Sequence, residues 1–178
     1  MGVIASVFSG AVRVWRQGEE ETQQDQALRF LRYKVGRDLR NAIPFSAIPM
    51  EGEKETFRLI LAQAVPETAA PTLVEVRYRV ESTGQGQQLT RNSFFLSTGV
   101  ERKEVLLENI PQILFFYPSK DEEGKLLWQE SWKATPEAES PRWVKAEILL
   151  EKDQAPWIQI FSVPRGNVIE EESHETPP

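Results

Sequence analysis

The sequence predicts an α+β chain in which a long N-terminal α-helix packs on one or more antiparallel β-sheets. Three observations carry that expectation. Leu28, Leu31, Val35 and Leu39 recur at intervals of three and four, the spacing that lines one face of an amphipathic helix. From Thr56 onward the period changes to two: in TLVEVRYRVES (72–82), Val74, Val76, Tyr78 and Val80 alternate with Glu75, Arg77, Arg79 and Glu81, as in a half-buried antiparallel strand. Between the strand-like runs stand Pro111, Gly124, Pro136, Pro141 and Pro156, residue types that make turns.

The helix is expected over 3–43, with a bend at Gly18 and a stop at Pro44, which disfavours helical geometry in the residue before it. At 1.5 Å per residue it would reach roughly 60 Å, more than the width of a small domain. Its halves differ. VIASVFSGAVRVW (3–15) is apolar on nearly every side, RQGEEETQQDQ (16–26) is polar all round, and the remainder is one-sided. The stripe of Leu28, Leu31, Val35 and Leu39 is therefore expected to cover the sheet. Val3, Ile4, Val7, Phe8, Ala11, Val14 and Trp15 form an apolar surface expected to meet a membrane or partner helices, the alternative being burial in the domain's own core. The run is 13 residues long and carries Arg13, short of the ~20 residues that cross a bilayer. Met1-Gly2 opening directly onto valine reads as a start inside a longer apolar helix, so the reading frame is expected to continue upstream. The basic row Arg29, Arg32, Lys34, Arg37 and Arg40 reads as a solvated face braced by the spaced pairs Asp25–Arg29 and Lys34–Asp38, the alternative being contact with an acidic partner or lipid headgroups.

Seven or eight strands follow, over 56–163. TFRLILAQA (56–64) puts Phe57, Leu59 and Leu61 on one face, and a proline-rich link at 66–71 leads to the 72–82 strand. The glycines of STGQGQQ mark a hairpin turn before QLTRNSFFL (88–96). Further strands are expected at 104–110, 112–118, 125–132, 142–151 and 157–163. In the 142–151 strand, Val144, Ala146, Ile148 and Leu150 share the inward face. Trp143 lies with Lys145 and Glu147 on the other, where an exposed tryptophan suits a binding anchor, the alternative being cover by a neighbouring loop.

One domain over 1–166 accommodates all of this within 178 residues, leaving 167–178 as an acidic tail expected to be disordered. A formal net charge of −6 argues against a general nucleic-acid binder. The chain has no cysteine, and its single histidine, His174, sits in the tail. No triad, zinc site or distinguished pair of carboxylates emerges, so no catalytic residue, metal or cofactor is expected and the chain reads as a non-enzyme. Asp121, Glu122 and Glu123 lack the alternating ligand pattern of a calcium loop.

VGRDLRNA at the end of the helix, LLENIPQILFFYP, the tryptophans of LLWQESW, SPRWVKAEILLE and the closing IQIFSVPRG resemble the J-type minor pseudopilins of type II secretion systems, within the type IV pilin-like superfamily. The series runs in order from about residue 3 to 166. The family's N-terminal processing site, a glycine followed by phenylalanine and a later glutamate, is not in this chain. The resemblance implies a pseudopilin-like fold with a periplasmic head and a full-length N-terminal helix held in the bacterial inner membrane. It implies as partners the I- and K-type minor pseudopilins, with which such proteins form the tip complex that starts pseudopilus assembly. A minor pilin of a type IV pilus or competence system is an alternative. A periplasmic ligand-binding β domain, marked by a closed apolar pocket, is another.

Overall fold

A computed structural model describes residues 24–45, 47–63, 71–135, 140–151 and 155–163. Its helix, α1, occupies 24–40. Arg40 is its last residue because the Asn41 amide bonds back to the carbonyls of Arg37 and Asp38 at 3.1 and 3.2 Å, closing the final turn. Ala42–Ile43, expected as the end of the helix, instead forms strand β1, a conformation that Pro44 favours in its predecessor.

Ten further strands follow: β2 (Glu51–Glu53), β3 (Thr56–Gln63), β4 (Thr72–Thr83), β5 (Gly86–Phe95), β6 (Glu101–Ile110), β7 (Gln112–Lys120), β8 (Leu126–Gln129), β9 (Trp132–Lys133), β10 (Trp143–Leu149) and β11 (Trp157–Ser162). Antiparallel strand therefore dominates the described residues, with one short helix. This corrects the expected fold, a long helix packed on antiparallel sheet: the described residues are mostly strand, eleven strands in place of the seven or eight expected, and their helix is short. Residues 3–23 of the expected helix, and the tail at 167–178, lie outside the described residues.

The strands make two sheets. One runs β6-β5-β4-β3-β2-β9, with β1 also paired to β3; the other runs β11-β10-β7-β8. The segment KLLWQESW, expected as one strand, divides between them. Leu126–Gln129 pairs with β7, and Trp132–Lys133 pairs with β2, so the chain crosses from sheet to sheet at Glu130–Ser131. The β4–β5 hairpin closes through Gly84 and Gln85, with Thr83 opposite Gly86. Gly86 has φ +134°, and an added Cβ would stand 2.9 Å from the Ile110 carbonyl oxygen, so only glycine fits there.

The inner faces of both sheets and one face of α1 enclose a single apolar core. Leu28, Leu31, Val35 and Leu39 are all buried in it, against Val74, Val76 and Leu89 of the first sheet and Ile113, Val144 and Ile148 of the second. At its centre Phe57 stacks on Tyr78 with ring centroids 4.5 Å apart, and Phe115 meets Phe57 edge-on at 4.9 Å. Main-chain and side-chain bonds tie the sheets together: the Phe115 amide donates to the Lys54 carbonyl, and the Ile113 amide to Gln87 Oε1.

Burial raises the pKa of Tyr78 well above the ordinary phenol value of 10.0, with the Asp38 charge adding to it. Tyr117 is raised too, by burial first and by the charge of Glu53 second. Both phenols stay protonated in the folded state while an unfolded chain would ionise near pH 10, so stability is expected to fall as pH rises through that value. In an alkaline titration, phenolate absorbance from these two tyrosines should appear only together with loss of the β-sheet circular dichroism signal. Ionisation of both with the sheets intact would contradict their placement.

Candidate functional site

Within the core lies one ionic node. Asp38, 1 % exposed, faces inward from α1, and its Oδ2 accepts hydrogen bonds from the Tyr78 hydroxyl at 2.8 Å and from Arg91 Nε at 2.6 Å. Burial opposes the Arg91 charge, yet attraction and hydrogen bonding to Asp38 outweigh it and hold the guanidinium pKa above its usual value. Tyr78 and Arg91 are direct cross-strand partners on β4 and β5, which sets both side chains on the inner face beneath α1. Arg37, 43 % exposed, adds a 3.4 Å contact to the other carboxylate oxygen from the surface, and the buried Arg91–Asp38–Tyr78 part of the node locks the helix to the sheet. The pairing corrects the expected Lys34–Asp38 brace, since Lys34 instead reaches β6 and pairs with Glu104 at 2.7 Å.

The outer face of the second sheet is different in kind. Its register places Ile160, Lys145 and Phe116 side by side in one row, and Ile158, Glu147 and Leu114 in the next. Trp128 joins through its pairing with Pro118, and Leu126 lies two residues away on the same face. The face is thus largely apolar, with one ion pair at its middle and Gln112, Lys120 and Ser162 at its margins. Lys145 bonds Glu147 at 2.7 Å, and its ammonium sits 4.4 Å from the Phe116 ring centroid and 4.9 Å from that of Trp128. The pair neutralises itself, and the two rings share the cation. Trp143, half-buried on the same face, is partly covered by the Arg142 guanidinium at 4.7 Å.

That face stays open at its β11 border. Ile158 and Ile160 are 54 % and 48 % exposed, and Leu126 at the opposite border is 44 % exposed. β11 is an edge strand, paired only with β10 among the described residues. Its six residues, WIQIFS, carry no charge and no proline. Edge strands are normally blunted with lysine, proline or a bulge, because unpaired N–H and C=O groups invite another chain. An uncharged edge flanked by exposed isoleucines has the chemistry of a protein-binding border.

Of the residues expected to bind partners, Val3, Ile4, Val7, Phe8, Ala11, Val14 and Trp15 lie outside the described residues. The outer face of the second sheet was not among the expected sites beyond Trp143. Its sequence signal is that β11 is apolar at both parities, with Trp157 and Phe161 on one side and Ile158 and Ile160 on the other. Asp121 does not point to a cation site: its Oδ1 accepts from the amides of Glu123 and Lys125 and so closes the β7–β8 turn. Among the described residues no group of three or more His, Cys, Asp or Glu side chains is placed to hold a metal ion. None of their helices is long and apolar enough to cross a membrane. No protein-family model matches the chain, and neither does any curated protein.

Proposed function

We propose that this protein is an assembly subunit, a J-type minor pseudopilin that joins I- and K-type partners at the tip of a short periplasmic filament in type II secretion. The motif series from VGRDLRNA to IQIFSVPRG supports the family reading. The observation that carries the functional part is the apolar outer face of the β11-β10-β7-β8 sheet, with its exposed isoleucines on an uncharged edge. Such a face suits contact with a neighbouring head, and the apolar run at 3–15 suits the inner membrane or neighbouring helices. The filled core, with Phe57, Tyr78, Phe115 and Tyr117 each almost inaccessible, supports an assembly role over that of a ligand carrier.

The reading is tested by mixing the protein with the I- and K-type heads of the same system and measuring mass on gel filtration. A stable heteromer is expected. The double substitution Ile158→Asp/Ile160→Asp should weaken it at least tenfold without unfolding the protein, because both side chains already face solvent. No heteromer with either head would overturn the family reading. A heteromer indifferent to the double substitution would remove the β11 face from the interface.

A further inference from the structure

We propose that the exposed crest of α1 docks on a membrane surface rich in anionic phospholipid, through its headgroups rather than by insertion. At 100° per residue, Arg29, Phe30, Tyr33, Arg37 and Arg40 fall within about 100° of one another, directly opposite the buried stripe. Phe30 and Tyr33 are 44 % and 59 % exposed in the middle of this cationic crest. Lys34 and Arg37 lie over the two rings, each 5.8 Å from the centroid, so the aromatics are framed by positive charge.

A basic helix face is ordinarily a solvated surface balanced by acids on the same helix. Here that balance is slight. Asp38, the acid nearest the row, is drawn into the core by Tyr78 and Arg91 and reaches the crest only through a 3.4 Å contact with Arg37, leaving Asp25 as the only acid on the exposed side of the described helix. Glu104 neutralises Lys34 alone, and Arg29, Arg32 and Arg40 form no ion pair among the described residues. In a chain of net charge −6, this concentration of unneutralised arginine is a local reversal of sign. Its charge complement is a dense anionic surface. Aromatic rings interleaved with arginines favour lipid over an acidic protein, since rings settle at headgroup depth while guanidinium groups bind phosphate in bidentate fashion. The helix runs about 25 Å, enough to meet several headgroups at once.

The test is vesicle co-sedimentation of the full chain with phosphatidylcholine alone and with phosphatidylcholine containing phosphatidylglycerol. Binding is expected only to the anionic vesicles, and it should fall as salt is raised. Arg29→Gln/Arg40→Gln should lower the partition coefficient about thirtyfold, near a factor of five per cation. Phe30→Ser/Tyr33→Ser should weaken binding without changing its salt dependence. All four side chains face solvent, so circular dichroism should show both variants folded. Equal binding to the two vesicle types, or binding unchanged by the arginine substitutions, would overturn the proposal and assign attachment to the apolar 3–15 run. Binding to a polyglutamate peptide but not to anionic vesicles would also overturn it, by assigning the crest to an acidic protein. Neither result bears on the heteromer experiment, which reads a different surface.

Discussion

Asp38→Asn is expected to cost about 3–5 kcal/mol of folding stability, measured by urea unfolding with tryptophan fluorescence as the signal. The substitution keeps shape and volume but removes the charge, leaving the buried Arg91 guanidinium without its counter-ion and the Tyr78 hydroxyl with a weaker acceptor. The loss comes mostly from the partner left behind, since an unpaired cation has no water to turn to at that depth. A second measurement separates this cause from simple damage. The triple substitution Asp38→Leu/Arg91→Met/Tyr78→Phe removes the whole node and should recover most of the lost stability, because apolar side chains of similar volume do as well in a core as a matched ion pair. A triple variant less stable than Asp38→Asn would contradict the node's reading as a self-contained electrostatic lock.

Gly52→Ala is the second large effect, expected at about 3 kcal/mol or more, the upper end of the range for overpacking. Gly52 lies on β2 of the first sheet, and the ring of Tyr117, from β7 of the second sheet, rests directly on its backbone. An added Cβ would fall inside the van der Waals envelope of the Tyr117 Cζ and Oη atoms. The ring has little room to yield. It is fully buried, and its hydroxyl lies 3.1 Å from the Glu53 carbonyl and 3.2 Å from that of Thr56, the two ends of the β2–β3 turn. Glycine is needed here for close approach between sheets rather than for a left-handed backbone. Combining Gly52→Ala with Tyr117→Leu, which takes away the end of the ring, should cost less than the sum of the two single changes. Strict additivity would show that ring and glycine do not touch.

Periodicity carried much of the fold and little of the surface chemistry. The three-four spacing of Leu28, Leu31, Val35 and Leu39 and the alternation of β4 are local patterns, because burial on one face repeats with the element's own period. The division into two sheets is not local. KLLWQESW reads as one strand, and its break at Glu130–Ser131 follows from pairing with β7 on one side and β2 on the other. β2 escapes notice because EGE has no apolar face of its own and is a strand only through its pairing with β3 and β9. The Asp38 node was half legible. Leu31, Val35 and Asp38 stand at i, i+4 and i+7, so the acid lies on the buried stripe, and the inward phase of Leu89 on β5 carries Arg91 to the same side. A rule pairing charges four apart on a helix gave Asp38 to Lys34, and tertiary contact overrode it.

The two surfaces offer different chemistry. The crest of α1 is cationic with aromatics, while the face of β11-β10-β7-β8 is largely apolar, with Lys145 and Glu147 neutralising each other at its middle. Glu81 illustrates the ordinary alternative on the outside of the first sheet. Hydrogen bonds from Lys103 and Gln88 lower its pKa from 4.5, a contribution to stability present above that value and lost as pH falls below it. Screening at so exposed a site keeps that contribution small.

Hydrogen–deuterium exchange on the protein alone and with the I- and K-type heads proposed as its partners reaches the central point most directly. The amides of Trp157–Ser162 should exchange readily in the isolated protein where they face away from β10, and become protected in the complex. A stable complex in which β11 exchanges as fast as before, with protection confined to other strands, would contradict the role assigned to that edge.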